Sequence, residues 1–450
     1  MKRFAIGGVL LAGVLAAGTG TASAQGYSVN EQSACAMGRG TAGVASPCDD
    51  GSGIFYNPAA LAVKPQRVIA LGGTLIGPRG DYKASAGALV ADLKEAWYPV
   101  PGIYLSMPVG EHAAVGLGLW APYGLTTEWD ESFEGRFTAY KTTLQSPYVQ
   151  PTFAWRPNEM LAIGAGLDIT YNRLELKQRL DLSTQQLAPG VSFAAIGVPR
   201  FTDFADFKIK GHKLTVGANV GVIVNPDGPV SLGVRYMTRQ KIKADDLTLD
   251  TRQINTGLRT PVPLPGIPAG TPIDAILAPQ FQSGARLASQ AASTELTLPD
   301  QLAVGVAFKP TEKVKVLADY WWTNWSQFAS LEFNTANGLH EVINKNYENT
   351  SAVRFGVEAD ATEQLVLRGG FILHNAAAPD GAITPDLPEG GRWLVSGGLG
   401  LRVSQGMRMD LAYMYLKQED RNGRTQLVGP DTGVYAFHAN LLAATVVWRF

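Results

Sequence analysis

The sequence predicts an all-β fold: a 14-stranded antiparallel transmembrane β-barrel with an N-terminal hatch, or plug, inside its lumen. Three observations predict it: an export signal with no later helical membrane span, strands that alternate large apolar with small or charged residues, and connections that alternate short with long.

The signal comes first. Lys2 and Arg3 precede an apolar run from Phe4 to Ala17, and Ala22-Ser23-Ala24 is a small-residue cleavage site, so residues 1–24 read as a signal peptide and the mature chain as starting at Gln25. No later stretch supplies the roughly 18 apolar residues of a membrane helix. Charged residues make up only 17% of the 450, below the ~25% usual for soluble domains. A net charge of -1 without basic clusters argues against nucleic acid as a partner.

The alternation is clearest late in the chain. In "SAVRFGVEAD", Val353, Phe355 and Val357 alternate with Arg354, Gly356 and Glu358. "DQLAVGVAFKP" and "RWLVSGGLGLRV" repeat it, with Val304, Val306, Val395 and Leu399 on the apolar face. A wall with lipid outside and a polar lumen inside requires this pattern. A soluble sandwich alternates too, so the loops must decide.

Strands are expected at about 67–77, 101–108, 112–120, 139–156, 160–178, 205–224, 230–248, 294–309, 313–334, 351–361, 364–374, 392–404, 407–418 and 437–450. Every second connection is turn-like: "PVGE", "RPNE", "NPDGP", "KPTEK", "DATEQ" and "SQG". The others are long, as extracellular loops are. Aromatic residues in "ADYWWTNWSQF" (Tyr320, Trp321, Trp322, Trp325, Phe328) suit a girdle at the lipid headgroups, and the last strand ends on Phe450, as bacterial outer-membrane barrels do. The barrel then spans residues 67–450.

Residues 25–66 precede it and enter from the periplasmic side. "IFYNPAALA" carries apolar bulk and a turn at Asn57-Pro58, so a packed plug fits better than a free tail. Cys35 and Cys48, the only cysteines, both fall in this segment, and an oxidising compartment favours a structural disulfide between them.

These residues resemble the FadL-type outer membrane transporters. The resemblance rests on Asn30-Glu31, Gly38-Arg39, Asp49-Asp50 and the Asn57-Pro58-Ala59 triplet in the N-terminal segment, and on Trp325, Ser326, Gln327 and Phe328 in a W-[ST]-x-F signature. It covers the whole mature chain. It implies uptake of long-chain fatty acids or of other hydrophobic compounds, aromatic hydrocarbons included, through a hatch-plugged barrel with lateral exit where the third strand kinks. Pro122, Tyr123 and Gly124 fall at that point. From the residues alone Pro122 either breaks the ladder or only opens a loop; the resemblance favours the break. An apolar path makes chemical sense, because each buried methylene of a solute gains about 0.8 kcal/mol on leaving water.

Fatty-acid members hold the carboxylate with two basic side chains. The first region here offers Arg173, Lys177 or Arg179, with Arg179 closest by position; at the second, Thr350 stands where the family has lysine. That departure leaves neutral hydrocarbons as live as fatty acids. The reading is therefore of a bacterial outer membrane transporter, not an enzyme, monomeric, needing no cofactor or metal. Its partners are hydrophobic small molecules, outer membrane lipid and the barrel-assembly machinery. A lipid-hydrolysing barrel is the rival, yet the histidines His112, His212, His340, His374 and His438 have no ligand or triad spacing. His374, near a strand end, reads as a polar group of lumen or rim. A general porin is a second rival, opposed by the plug.

Overall fold

A computed structural model describes residues 26–85, 90–264, 266–423 and 433–450. The signal peptide expected over 1–24 lies outside the described residues.

Fourteen antiparallel strands close into one barrel. They are β1 (Val68–Ala84), β2 (Tyr98–Val109), β3 (Ala113–Glu128), β4 (Lys141–Asn158), β5 (Leu161–Asp181), β6 (Asp203–Val224) and β7 (Val230–Met237, continued by Gln240–Gln253). Then come β8 (Gln290–Leu298, continued by Gln301–Thr311), β9 (Val314–Thr323, extended by Ser330–Thr335), β10 (Thr350–Asp360) and β11 (Leu365–His374). The series ends with β12 (Arg392–Ser404), β13 (Met407–Gln418) and β14 (Gly433–Arg449). Each strand pairs with its sequence neighbours. The seam is made by β1 and β14, in register from Val68↔Arg449 to Ala84↔Gly433. Apart from the stretch of β2 and β3 beyond Ile103↔Leu119, closure leaves no free edge for the hydrocarbon to penalise.

The alternation orients the wall as the sequence predicts. Val304, Phe308, Phe355, Val395 and Leu399 are exposed on the outside, while Arg354 and Ser396 are buried inside. The aromatic cluster of β9 needs correction as a girdle. Tyr320 is 48% exposed and faces outward, but Trp321 and Trp325 are fully buried and Phe328 nearly so. Period two sends Trp321 into the lumen, where Arg354 stacks 3.8 Å from its ring centroid and Arg235 lies 5.0 Å away.

The N-terminal segment fills the lumen. It forms three short helices, α1 (Ala34–Gly38), α2 (Gly53–Tyr56) and α3 (Ala60–Val63), and most of it is buried. The Ser33 side chain caps α1 by accepting from the Ala36 N–H. Cys35 and Cys48 are joined by a disulfide. The segment runs from the outer half of the lumen, where the Gly26 N–H donates to Glu389 in the β11–β12 loop, down to the start of β1.

Candidate functional site

The barrel wall is incomplete at β3. The β2–β3 ladder runs from Val109↔Ala113 only to Ile103↔Leu119. Continued in register, it would set Pro101 against Ala121, Val100 against Pro122 and Pro99 against Tyr123. Three of those six residues are prolines without an N–H to donate, so the ladder stops there. On its other side β3 stays paired with β4, with a shift in register between Trp120 and Tyr123.

The hatch supplies the bonds that β2 does not. The Val29 N–H donates to the Pro122 carbonyl (2.7 Å) and the Gly124 N–H to the Tyr27 carbonyl (3.0 Å). The Gln32 side-chain amide closes both groups of Ala121, donating to its carbonyl (2.9 Å) and accepting from its N–H (3.1 Å). Buried backbone polar groups are thereby satisfied without closing the wall.

Behind this break lies a cavity of about 410 Å³, within the range of small-molecule sites. Val100 and Pro101 line it from one bank of the break, Ala121 and Gly124 from the other, and Tyr27 and Val29 from the hatch. Its lining is mostly apolar. Outward of it, a smaller compartment of about 60 Å³ is lined by Leu174, Leu176, Leu296 and Phe333. Tyr27, Leu125, Leu144 and Leu387 border both. Tyr27 stands edge-on to Trp325 at 4.5 Å, and burial pushes its phenol pKa up, so this boundary is uncharged.

One end of the cavity differs. His374, Arg392 and Gln418 are register partners across β11, β12 and β13 and form one row that lines the cavity. Immediately inward the same strands place Ile372, Leu394 and Leu416. Gln418 donates to the Pro388 carbonyl. Among the described residues the Arg392 guanidinium has no hydrogen bond or ion pair, its Nε is buried, and His374 Nδ1 is buried without a partner. Glu389 makes no direct bond to Arg392: its carboxylate accepts from the N–H groups of Gly26, Ala377 and Ala378, and the two charges attract only across space. Burial raises the Glu389 pKa, and these three donors work against that rise.

The basic residues singled out from the sequence do not line this cavity. Arg173 is exposed on the outside of β5. Arg179 is ion-paired with Glu131 and lies 3.6 Å from Asp206. Thr350 is buried at the start of β10, paired in register with Thr323. The nearby Lys345 is buried and bonded to Asp386 and Thr384. Pro122, Tyr123 and Gly124 sit at the break, with Tyr123 turned inward to donate to the Pro299 carbonyl (2.6 Å).

The Asn57-Pro58-Ala59 turn lies deeper. Asn57 Nδ2 lies within bonding distance of the carbonyls of Val44 (2.8 Å), Val222 (3.0 Å) and Val234 (3.3 Å), while Oδ1 accepts from Ala59 (3.2 Å). The wall makes room with glycine: a Cβ on Gly221 would fall 2.0 Å from Asn57 Oδ1, and one on Gly164 would meet the Pro58 backbone at 2.4 Å. Sequence reasoning missed Arg392 and the prolines of β2. "YPVPG" beside "APYG" carried a signal for the second; nothing local marked the first.

Known proteins resemble the chain over nearly its full length. Outer membrane protein P1 of Haemophilus influenzae is 25% identical, over 93% of this chain and 91% of the relative. The 47 kDa outer membrane protein of Pasteurella multocida is 26% identical, over 98% of each. The long-chain fatty acid transport protein of Escherichia coli O6:H1 is 22% identical, over 87% of this chain and 86% of the relative. Among solved structures, a Pseudomonas aeruginosa FadL homologue superposes with a TM-score of 0.80 at 21% identity, covering 95% of this chain and 100% of that one. The Pseudomonas putida toluene transporter TodX gives 0.67 at 16% identity, covering 93% and 98%. The two solved structures share the barrel fold. The family model described as outer membrane protein transport protein (OMPP1/FadL/TodX) matches residues 15–450, and the chain belongs to that family of outer membrane transporters.

Proposed function

We propose that this protein takes hydrophobic compounds from outside the cell through the outer apolar compartment into the cavity, and releases them sideways into the membrane at the break between β2 and β3. The observation that carries the reading is the cavity itself, which shares Tyr27, Leu125, Leu144 and Leu387 with the outer compartment and is lined by both banks of the break. Relatives are named for long-chain fatty acids and for toluene. Between those classes, the unpaired Arg392 beside His374 supports an amphiphile with a carboxylate head, because a charge-assisted hydrogen bond contributes about 1.5–3 kcal/mol. The head would sit at the Arg392 row and the tail along Leu125 and Leu144. The hatch, residues 25–66, acts as the plug that keeps water from this route. The chain works as a monomer, and its exposed terminal Phe450 supports recognition by the barrel-assembly machinery.

The test is a side-by-side panel of hexadecanoate, hexadecanol and toluene, for binding to the purified barrel and for uptake by cells carrying or lacking it. Hexadecanoate should bind roughly 10–100-fold tighter than hexadecanol, and Arg392→Leu should erase the difference while Arg392→Lys keeps part of it. Equal binding of acid and alcohol would discard the carboxylate reading alone. Unchanged uptake of every compound in cells lacking the protein would discard transport.

A further inference from the structure

The periplasmic end of the lumen holds a second cavity, of about 350 Å³, with a different chemistry. Its lining is polar and basic, and it lies beneath the hatch beside the turns of β6–β7, β8–β9 and β10–β11. A continuous chain of ion pairs runs along its wall. Glu358 sits between Arg39 (3.7 Å), Lys315 (3.4 Å) and Arg368 (2.7 Å). Asp410 joins Arg368 (2.7 Å) to Arg408 (2.8 Å), and Asp49 joins Arg408 to Arg449 (2.6 Å to the latter).

Five cations therefore share three carboxylates. Asp50, buried near Arg408 and bonded to Ser52, is a fourth and still leaves an excess of positive charge. At the mouth, Lys64, Lys309, Lys313 and Arg402 outnumber Glu312 and Asp360. The excess is buried as well as numerical. The Arg39 side chain is 1% exposed, with Nε and Nη1 making no hydrogen bond; that of Arg408 is 8% exposed, with Nη2 unbonded. Guanidinium donors removed from water without acceptors are costly, and an anion in the adjoining cavity would satisfy them.

We propose that this bay binds a phosphate-class oxyanion, free phosphate or a phosphate ester, that bridges Arg39 of the hatch to Arg408 and Lys315 of the wall. Several acceptor oxygens on one small body can serve the several guanidinium and ammonium donors of hatch and wall that line this cavity, which a spherical halide cannot. The anion would fasten the hatch at the end opposite the hydrophobic route, so the site is independent of what is transported.

The full chain, purified in uncharged detergent at constant ionic strength, is titrated with inorganic phosphate and, separately, with chloride. Phosphate is expected to bind saturably at one site, at least about tenfold tighter than chloride. Lys315→Gln, whose side chain is partly exposed, should weaken phosphate about fivefold, and Arg408→Gln should abolish binding. Heat-modifiable mobility on gels checks that each variant is folded. No saturable phosphate binding, equal affinity for chloride, or unchanged affinity in Lys315→Gln would each overturn the proposal.

Discussion

Asn57 carries more of the hatch docking than its size suggests, because one buried amide reaches carbonyls of the hatch and of two wall strands. Asn57→Ala would strand those groups without replacing them, and each buried unsatisfied polar group costs about 1–3 kcal/mol. The variant should remain a barrel but unfold at lower denaturant, with the hatch cut earlier by added protease. Asp49 gives a pH dependence. Burial would raise its pKa, but the Arg408 and Arg449 guanidiniums outweigh that and hold it well below the usual carboxylate range. A depressed carboxyl stabilises the fold above its unfolded pKa, and that contribution is lost as pH falls through the folded value. Hatch retention should therefore be constant from neutral pH down to the ordinary carboxylate range and weaken below it, and Asp49→Asn should flatten the profile.

At the scale of elements, the third strand is separated from the second by prolines on both. Pro122 alone was legible as a breaker; Pro99 and Pro101 matter because the register brings them opposite, which only the paired structure displays. Restoring the donors with Pro99→Val, Pro101→Val and Pro122→Val should let the ladder run on past Ile103↔Leu119. Uptake should then fall several-fold with binding retained, and amide exchange across residues 99–123 should slow. Faster exchange with normal uptake would mean that the break is not the exit. Strand positions were readable because lipid on one side and lumen on the other enforce a period of two over long stretches. Trp321 was misplaced because clustering was weighed above that alternation, and Trp325 because it lies past the end of the strand, where the period does not reach. Arg392 was hidden for a different reason: its meaning depends on making no hydrogen bond or close ion pair although Glu31 and Glu389 line the same cavity, and sequence cannot show which charges stay apart in space.

For the whole molecule, the plug decides whether fourteen strands make a pore. The described hatch fills the lumen between two cavities, so the intact protein should carry little steady current in a planar bilayer. Deleting residues 27–64 should raise conductance sharply if the barrel still closes. Replacing both Cys35 and Cys48 by Ser removes a short loop closure estimated at about 3 kcal/mol, and should loosen the plug without opening the wall.

The bond from Gly26 to Glu389 has a consequence for biogenesis. The hatch descends from the outer half of the lumen to the periplasmic turn, and β1 climbs back beside it, so the two form one out-and-back arm. When β1 zips onto β14 along seventeen register pairs, the arm's inner half is enclosed by the same event that completes the wall. A bulky cargo fused directly ahead of Gly26 would begin its path inside the barrel rather than in the periplasm. Protein engineers wishing to label or tether this chain should therefore use the periplasmic turns, where the arm reverses, and keep bulky fusions away from Gly26.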